Sequence, residues 1–150
     1  MKLLSVAIPC YNSESYMEHC INTLLTGGEE VEIIIVDDGS AKDRTAEIAD
    51  EYAGRYPTGL RNATGIFFKV VDSDDWVNEE AFQEVLETLR RFVYGEETLD
   101  MLVTNFVYEK QGAKRKKVMK YNTAFPKEKV FGWDDVKFFM TGQYILMHSV

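Results

Sequence analysis

The chain has 150 residues, 45% of them hydrophobic and 13% aromatic, enough apolar material for one ordinary packed domain and too much for a disordered segment. Its formal net charge of −8 excludes the broad basic face that nucleic-acid backbones require, so an anionic ligand must be held through a cation or through local backbone dipoles. Cys10 and Cys20 have no metal-ligand or redox spacing and read as buried free thiols, and no apolar run has the length of a spanning helix or the form of a signal peptide, so a cytoplasmic protein is expected.

Residues 3–9, LLSVAIP, form an apolar run closed by Pro9 and read as a buried strand, after which Ser13 occupies the position of a helix N-cap. Tyr16, Met17, Cys20, Ile21, Leu24 and Leu25 then recur at intervals of three and four, the inner face of a helix ended by Gly27 and Gly28. Residues 32–36, EIIIV, are the kind of run found in parallel strands covered on both faces, and they lead into Asp37, Asp38, Gly39 and Ser40. A second helix is expected after DGSAKD, with Ala46, Ala49, Tyr52 and Ala53 inward and Pro57 beyond its end. A third strand, GIFFKVV at residues 65–71, stops at Asp72, Ser73, Asp74 and Asp75. Asn78 then caps a helix with Glu79 and Glu80 in its first turn and Ala81, Val85, Leu86 and Leu89 inward. DMLVTNFVY, residues 100–108, reads as a fourth strand, and KQGAKRKK as a solvated turn into an antiparallel partner, KVMKY.

Alternation of strand and helix implies an α/β sandwich with a mainly parallel sheet over a single domain, 1–150, whose ligands sit beyond the carboxyl ends of the strands. PCYN, DDGS and DSDD all fall at such ends. Asp72 and Asp74 repel each other unless something positive lies between them. A divalent metal is the simplest partner, since magnesium and manganese sites that handle nucleotides take one or two carboxylates and complete the shell with phosphate and water. Asp75 serves equally well as a cap of the next helix. Asp37 can accept from a nucleobase N–H, Asp38 can brace the turn or cap a helix, Tyr11 offers an aromatic edge or face, and Pro9 gives a rigid exit from the sheet. Taken singly, each also has an ordinary structural reading.

Together, SVAIPCYNSES, EIIIVDDGSAKDRT and ATGIFFKVVDSDDW, in this order over residues 4–76, resemble the successive signatures of the family 2 glycosyltransferases. The resemblance implies the GT-A fold, a Rossmann-like three-layer sandwich with a mainly parallel sheet, here followed by a C-terminal antiparallel hairpin. It implies Pro9, Tyr11 and Asn12 near the nucleotide base, Asp37 on the uracil edge, and Asp38 and Ser40 shaping the turn. Glu14 matches a common acidic position of the nucleotide-sugar site, although a role in the first turn of a helix accounts for it equally. Asp72, Ser73 and Asp74 map onto the Asp-x-Asp motif, with Asp72 toward ribose and metal and Asp74 as the firmest ligand of Mn2+ or Mg2+. The implied reaction moves a sugar from a nucleoside diphosphate donor, UDP in most members, to a hydroxyl of a glycan or other acceptor with inversion. In it the metal stabilises charge on the departing diphosphate and a carboxylate takes the acceptor's proton. Polysaccharide biosynthesis is the usual setting, and peripheral association with a membrane stays open.

The chain departs from that pattern twice. The family's general base lies downstream of Asp-x-Asp, where the acidic cluster here is Asp134 and Asp135 after Trp133; GWDDVKFFM reads more simply as the start of a helix, so the base is expected beyond Val150. His19 and His148 read as structural or exposed. Near Thr58 and Gly59 the family carries another strand and a glycine-rich loop, and here a true deletion or an omitted stretch takes their place; Arg61 and Asn62 are not assigned to that loop. Three rival readings are a nucleotide-sugar binding module without turnover, a receiver-like phosphoacceptor signalling domain suggested by IIIVDDGS, and a haloacid dehalogenase-type phosphohydrolase. The receiver would carry its acidic pair on the first strand. The phosphohydrolase would carry Asp-x-Asp there, with a small hydroxyl or apolar residue where Trp76 stands.

Overall fold

The computed structural model describes residues 1–53, 63–109, 116–121, 125–136 and 149–150, which fall into two compact units, Met1–Glu97 and Thr98–Val150. In the first unit, β1 (Leu4–Cys10) lies between β2 (Val31–Asp37) and β3 (Phe67–Val70). Both pairings are parallel, Leu4 opposite Val31 on one side and Phe67 on the other. Leu4, Val6 and Ile8 alternate with Ser5 and Ala7, and all five are buried. Successive residues point to opposite faces of a strand, so β1 is covered above and below. Ile33, Ile34 and Ile35 of β2 are likewise buried, as the uninterrupted β-branched run requires.

Helix α1 (Met17–Leu25) buries Met17, Cys20, Ile21, Thr23 and Leu24, a stripe at helical spacing. Two details differ from expectation. Ser13 is not the N-cap, because the chain makes an extra turn before the helix and Tyr16 takes that position without a side-chain cap bond; Tyr16 is accordingly exposed rather than inward. Helix α2 (Thr45–Ala53) buries Thr45 and Ile48 while Ala46, Ala49 and Tyr52 are half-buried, so the β-branched residues supply the packing that the alanines were expected to supply. Helix α3 (Glu79–Val93) is capped by Asn78, whose Oδ1 accepts from the Ala81 backbone N–H at 2.9 Å. It buries Phe82, Leu86 and Leu89, with Val85 half-buried; Ala81, expected inward, is exposed because the larger Phe82 takes the core position.

A polar tie fixes the entry to β3. The wholly buried Ser5 hydroxyl accepts from the Gly65 N–H at 2.8 Å and donates to the Glu32 carboxylate, which also receives the Thr64 N–H and hydroxyl. Burial pushes the Glu32 carboxyl up, but the donors from Ser5 and Thr64 and the charge of Lys2 outweigh it and hold the group below its ordinary value. A side chain on Gly65 would place its Cβ 2.5 Å from the Ser5 nitrogen, so this close approach of backbones admits only glycine.

In the second unit, β4 (Phe106–Tyr108) pairs antiparallel with β5 (Lys117–Met119), Val107 opposite Val118. The expected fourth strand of the parallel sheet is therefore only a short strand in a separate pair. Its first half is held elsewhere: Leu102 exchanges backbone hydrogen bonds with Val150 at 2.7 and 2.9 Å, and Val103 bridges to Ser149. Phe125 centres a small cluster with Val103, Tyr121, Phe131 and Val136. Residues 110–115 of the expected turn, the stretch around Thr58 and Gly59 with Arg61 and Asn62, and His148 lie outside the described residues.

Candidate functional site

Three loops leave the carboxyl ends of β1, β2 and β3, and the strand register brings their roots together. Cys10 stands opposite Asp37, and β3 pairs with the other side of β1 as far as Ala7 opposite Val70, three residues short of Ser73. Burial pushes the Cys10 thiol up to about 11, with the charge of Asp37 adding to the rise and a hydrogen bond from Ser73 opposing it.

The first and second loops are laced together by short polar contacts. Asn12 sits in the left-handed region at φ 49°, a conformation asparagine tolerates. Its N–H donates to the Ser40 hydroxyl at 2.8 Å and its Oδ1 accepts from the Lys42 N–H at 3.2 Å. Glu14 crosses in the same way: its N–H donates to Asp43 at 3.1 Å and its carboxylate accepts from the Arg44 N–H at 3.0 Å. Asp43 also receives the Thr45 N–H and hydroxyl. Burial works to raise the Asp43 carboxyl, yet these bonds from Thr45 and Glu14 hold it below its ordinary value.

Asp37 accepts from the Ser40 hydroxyl and N–H, closing the turn that Gly39 makes possible at φ 78°. Turn bracing thus falls to Asp37, while Asp38 is exposed and its N–H extends the ladder to the Cys10 carbonyl at 2.9 Å. The more weakly engaged oxygen of Asp37, Oδ2, lies 3.3 Å from the Ser40 nitrogen. Pro9 and Tyr11 are both exposed at the mouth of the first loop.

In the third loop, Asp72 and Asp74 are exposed and Ser73 between them is half-buried, its hydroxyl sharing a 2.8 Å hydrogen bond with that of Ser13. The Asp75 N–H donates to the Asp72 carbonyl at 2.9 Å, making a tight turn; the cap of α3 is Asn78, so Asp75 has no capping role. One face of α1 supports this loop. The Cys20 thiol donates to the Asp72 carbonyl at 3.7 Å, the Thr23 hydroxyl accepts from the Val77 N–H at 3.3 Å, and the His19 ring packs 5.2 Å from that of Trp76. Burial pushes the Cys20 thiol up to about 12, with Cys10 and the three carboxylates adding to it.

The residues that bind these loops together, Ser13, Asp43, Thr45 and Thr23, were not candidates from sequence. Nor was Lys69 on β3, whose ammonium is lowered by burial to about 8 against the pull of Asp75. Lys69 places protein charge near Asp75, the carboxylate that the sequence offered as a helix cap.

Among the described residues, no group of three or more acidic, histidine or cysteine side chains is arranged to hold a metal. Asp72 and Asp74 are both exposed to solvent. Two exposed hard oxygen donors suit Mg2+ or Mn2+ when a diphosphate and water complete the shell. Asp134 and Asp135 lie in a 3-10 turn of the second unit, Trp133–Asp135. There Asp135 accepts from the Gly132 N–H at 3.0 Å and so braces its own turn.

Residues 5–58 match the model of Glycosyl transferase family 2. The uncharacterized glycosyltransferase EpsJ of Bacillus subtilis is 36% identical over 103 residues, covering 57% of this chain and 30% of EpsJ. The N-terminal part of the chain belongs to glycosyl transferase family 2. A second B. subtilis relative of this family 2 domain, the putative glycosyltransferase EpsH, is 32% identical over 124 residues, 71% of this chain and 34% of EpsH. Among solved structures, Staphylococcus aureus TarS 1-349 superposes with a TM-score of 0.55 at 29% identity, over 69% of this chain and 35% of that one. TarS has also been solved with UDP and with UDP-GlcNAc. The fold is thus the GT-A fold of TarS, and the chain spans about a third of the length of these relatives. Among the described residues no helix is long and apolar enough to cross a membrane.

Proposed function

We propose that the first unit binds a UDP-sugar and is the donor-binding part of a metal-dependent glycosyltransferase that delivers the sugar, with inversion, to an acceptor hydroxyl. The observation that carries this reading is the convergence of the three strand-end loops, which bring Asp37, Tyr11 and the Asp72–Asp74 pair to one end of the sheet. The likeness to TarS, solved with UDP and UDP-GlcNAc, supports it.

In this reading Asp37 accepts the uracil N–H through Oδ2, the oxygen less engaged with Ser40. Tyr11, exposed at the exit of β1, lies along the base, and Pro9 and Asn12 hold the loop that carries it. Glu14 acts from behind, fixing the second loop through the Arg44 N–H. Asp72 and Asp74 would hold Mg2+ or Mn2+, which when bound supplies Lewis-acid stabilisation of the charge on the departing diphosphate. Lys69 carries charge that Asp75, in the same turn, attracts. No general base is assigned among the described residues. The acceptor we infer is a glycan hydroxyl, and the setting cytoplasmic polysaccharide assembly.

Calorimetric titration of UDP into the purified protein, with and without Mn2+, tests the reading. Micromolar binding that requires the metal is expected. Heat-silent mixing in both conditions, confirmed by an unchanged melting temperature, would refute it.

A further inference from the structure

We infer that Ser13 is a positioning residue for the donor site: its hydroxyl holds Ser73, the middle residue of the Asp-x-Asp stretch, and so sets where Asp72 and Asp74 stand relative to the first two loops. The inference rests on the donor-binding reading above. Ser13 is 4% exposed and joins all three loops. Its carbonyl receives the Tyr16 and Met17 N–H groups at 2.9 and 3.0 Å, fixing it to the start of α1. Its own N–H donates to the Thr45 hydroxyl at 2.6 Å. Thr45 is wholly buried and donates onward to Asp43 at 2.7 Å. The Ser13 backbone is thereby a fixed point common to the first and second loops.

From that point the side chain reaches in two directions. The Ser13 oxygen accepts from the Tyr11 N–H at 3.1 Å, and the hydroxyl pair with Ser73 closes at 2.8 Å. Two other ties of the third loop are longer, 3.7 Å from the Cys20 thiol to the Asp72 carbonyl and 3.3 Å from the Val77 N–H to Thr23. Within the tight turn closed by the Asp75 N–H and the Asp72 carbonyl, Ser73 is half-buried and holds the middle position inward. Both neighbouring carboxylates are exposed. A metal shared with a diphosphate needs its protein oxygens held in place relative to the nucleotide loops, and the serine pair is a short side-chain tie between them.

The test is a double-mutant cycle on the full chain, with UDP titrated at saturating Mn2+ into wild type, Ser13→Ala, Ser73→Ala and the double variant. Each single change should weaken UDP about tenfold or more, and the double change no more than Ser13→Ala alone, because the Ser13–Ser73 contact is already gone in that variant. Metal-free uridine, which needs only the first two loops, should bind Ser73→Ala as it binds wild type, since Ser73 belongs to the third loop and leaves the Tyr11 N–H its acceptor on Ser13. Wild-type UDP affinity in Ser13→Ala, a roughly hundredfold additive loss in the double variant, or an equal loss for uridine in Ser73→Ala overturns the inference while leaving the donor reading intact. Absence of UDP binding by wild type overturns both. If Ser13→Ala fails to fold, Ser73→Ala decides alone: wild-type UDP affinity there overturns the inference.

Discussion

Replacing Gly65 by alanine should loosen the strand that carries the acidic turn. The added Cβ would lie 2.5 Å from the Ser5 nitrogen, 2.7 Å from its hydroxyl and 2.8 Å from the Leu4 carbonyl carbon. Two of these three atoms are backbone of the central strand, so β3 must back away by roughly 1 Å to restore ordinary contact. That movement strains the Gly65 N–H bond to Ser5 at 2.8 Å and the Phe67 N–H bond to Leu3 at 3.0 Å. Overpacking of this kind costs about 1–3 kcal/mol, and a weakened hydrogen bond adds about 1 kcal/mol. The expected destabilisation is therefore about 2–4 kcal/mol. Urea unfolding followed by far-UV circular dichroism reads it directly: with a slope of about 2 kcal/mol/M, the midpoint should fall by about 1–2 M at unchanged slope. Gly132→Ala is the control, since a Cβ there meets nothing within 4 Å. A Gly65→Ala midpoint within about 0.2 M of wild type would show that β3 is free to shift, and the account of why glycine stands there would be wrong.

Three further outcomes test other parts of the account. Asp74→Ala should abolish metal-dependent UDP binding while changing stability by less than about 0.5 kcal/mol, because the carboxylate is exposed; substantial unfolding would make the residue structural. Asp37→Ala should weaken metal-free uridine binding and cost about 1–3 kcal/mol, since the Ser40 hydroxyl and N–H lose their acceptor; unchanged uridine affinity by calorimetry removes its assigned role. Glu32 carries a depressed carboxyl pKa in the folded state, so its contribution to stability is present above its unfolded pKa of about 4.3. That contribution is lost as pH falls through the folded value. Glu32→Gln should remove this part of the acid destabilisation, and urea midpoints measured from neutral pH downward that fall as steeply in the variant as in wild type would contradict it.

What could be read from sequence divides by the range of the interactions involved. The run Ile33–Ile35 and the cap at Asn78 are local signals, and both behave in the structure as their chemistry dictates. Ser13 misled because a serine ahead of an apolar stripe looks like a cap, whereas its partners are Thr45 and Ser73, 32 and 60 residues away. No local pattern encodes such pairs. The division of labour between Asp37 and Asp38 was hidden for a related reason: adjacent carboxylates are interchangeable as letters, and only the chain direction at Gly39 turns one of them onto Ser40. Residues 100–108 have strand composition throughout, but the first half spends its backbone groups on Val150, leaving only Phe106–Tyr108 to form a ladder.

The two cysteines make the site self-reporting. Both thiols are buried, and both are pushed up, to about 11 and about 12, so almost no thiolate exists at neutral pH and an alkylating reagent meets an unreactive group. Cys20 bonds the Asp72 carbonyl and Cys10 bonds Ser73, so an opening that frees either thiol breaks a contact with the acidic turn. The rate of alkylation then counts those openings, as amide exchange counts local unfolding elsewhere. A ligand clamped across the turn would slow that clock, giving an occupancy readout with no need for turnover, acceptor or label.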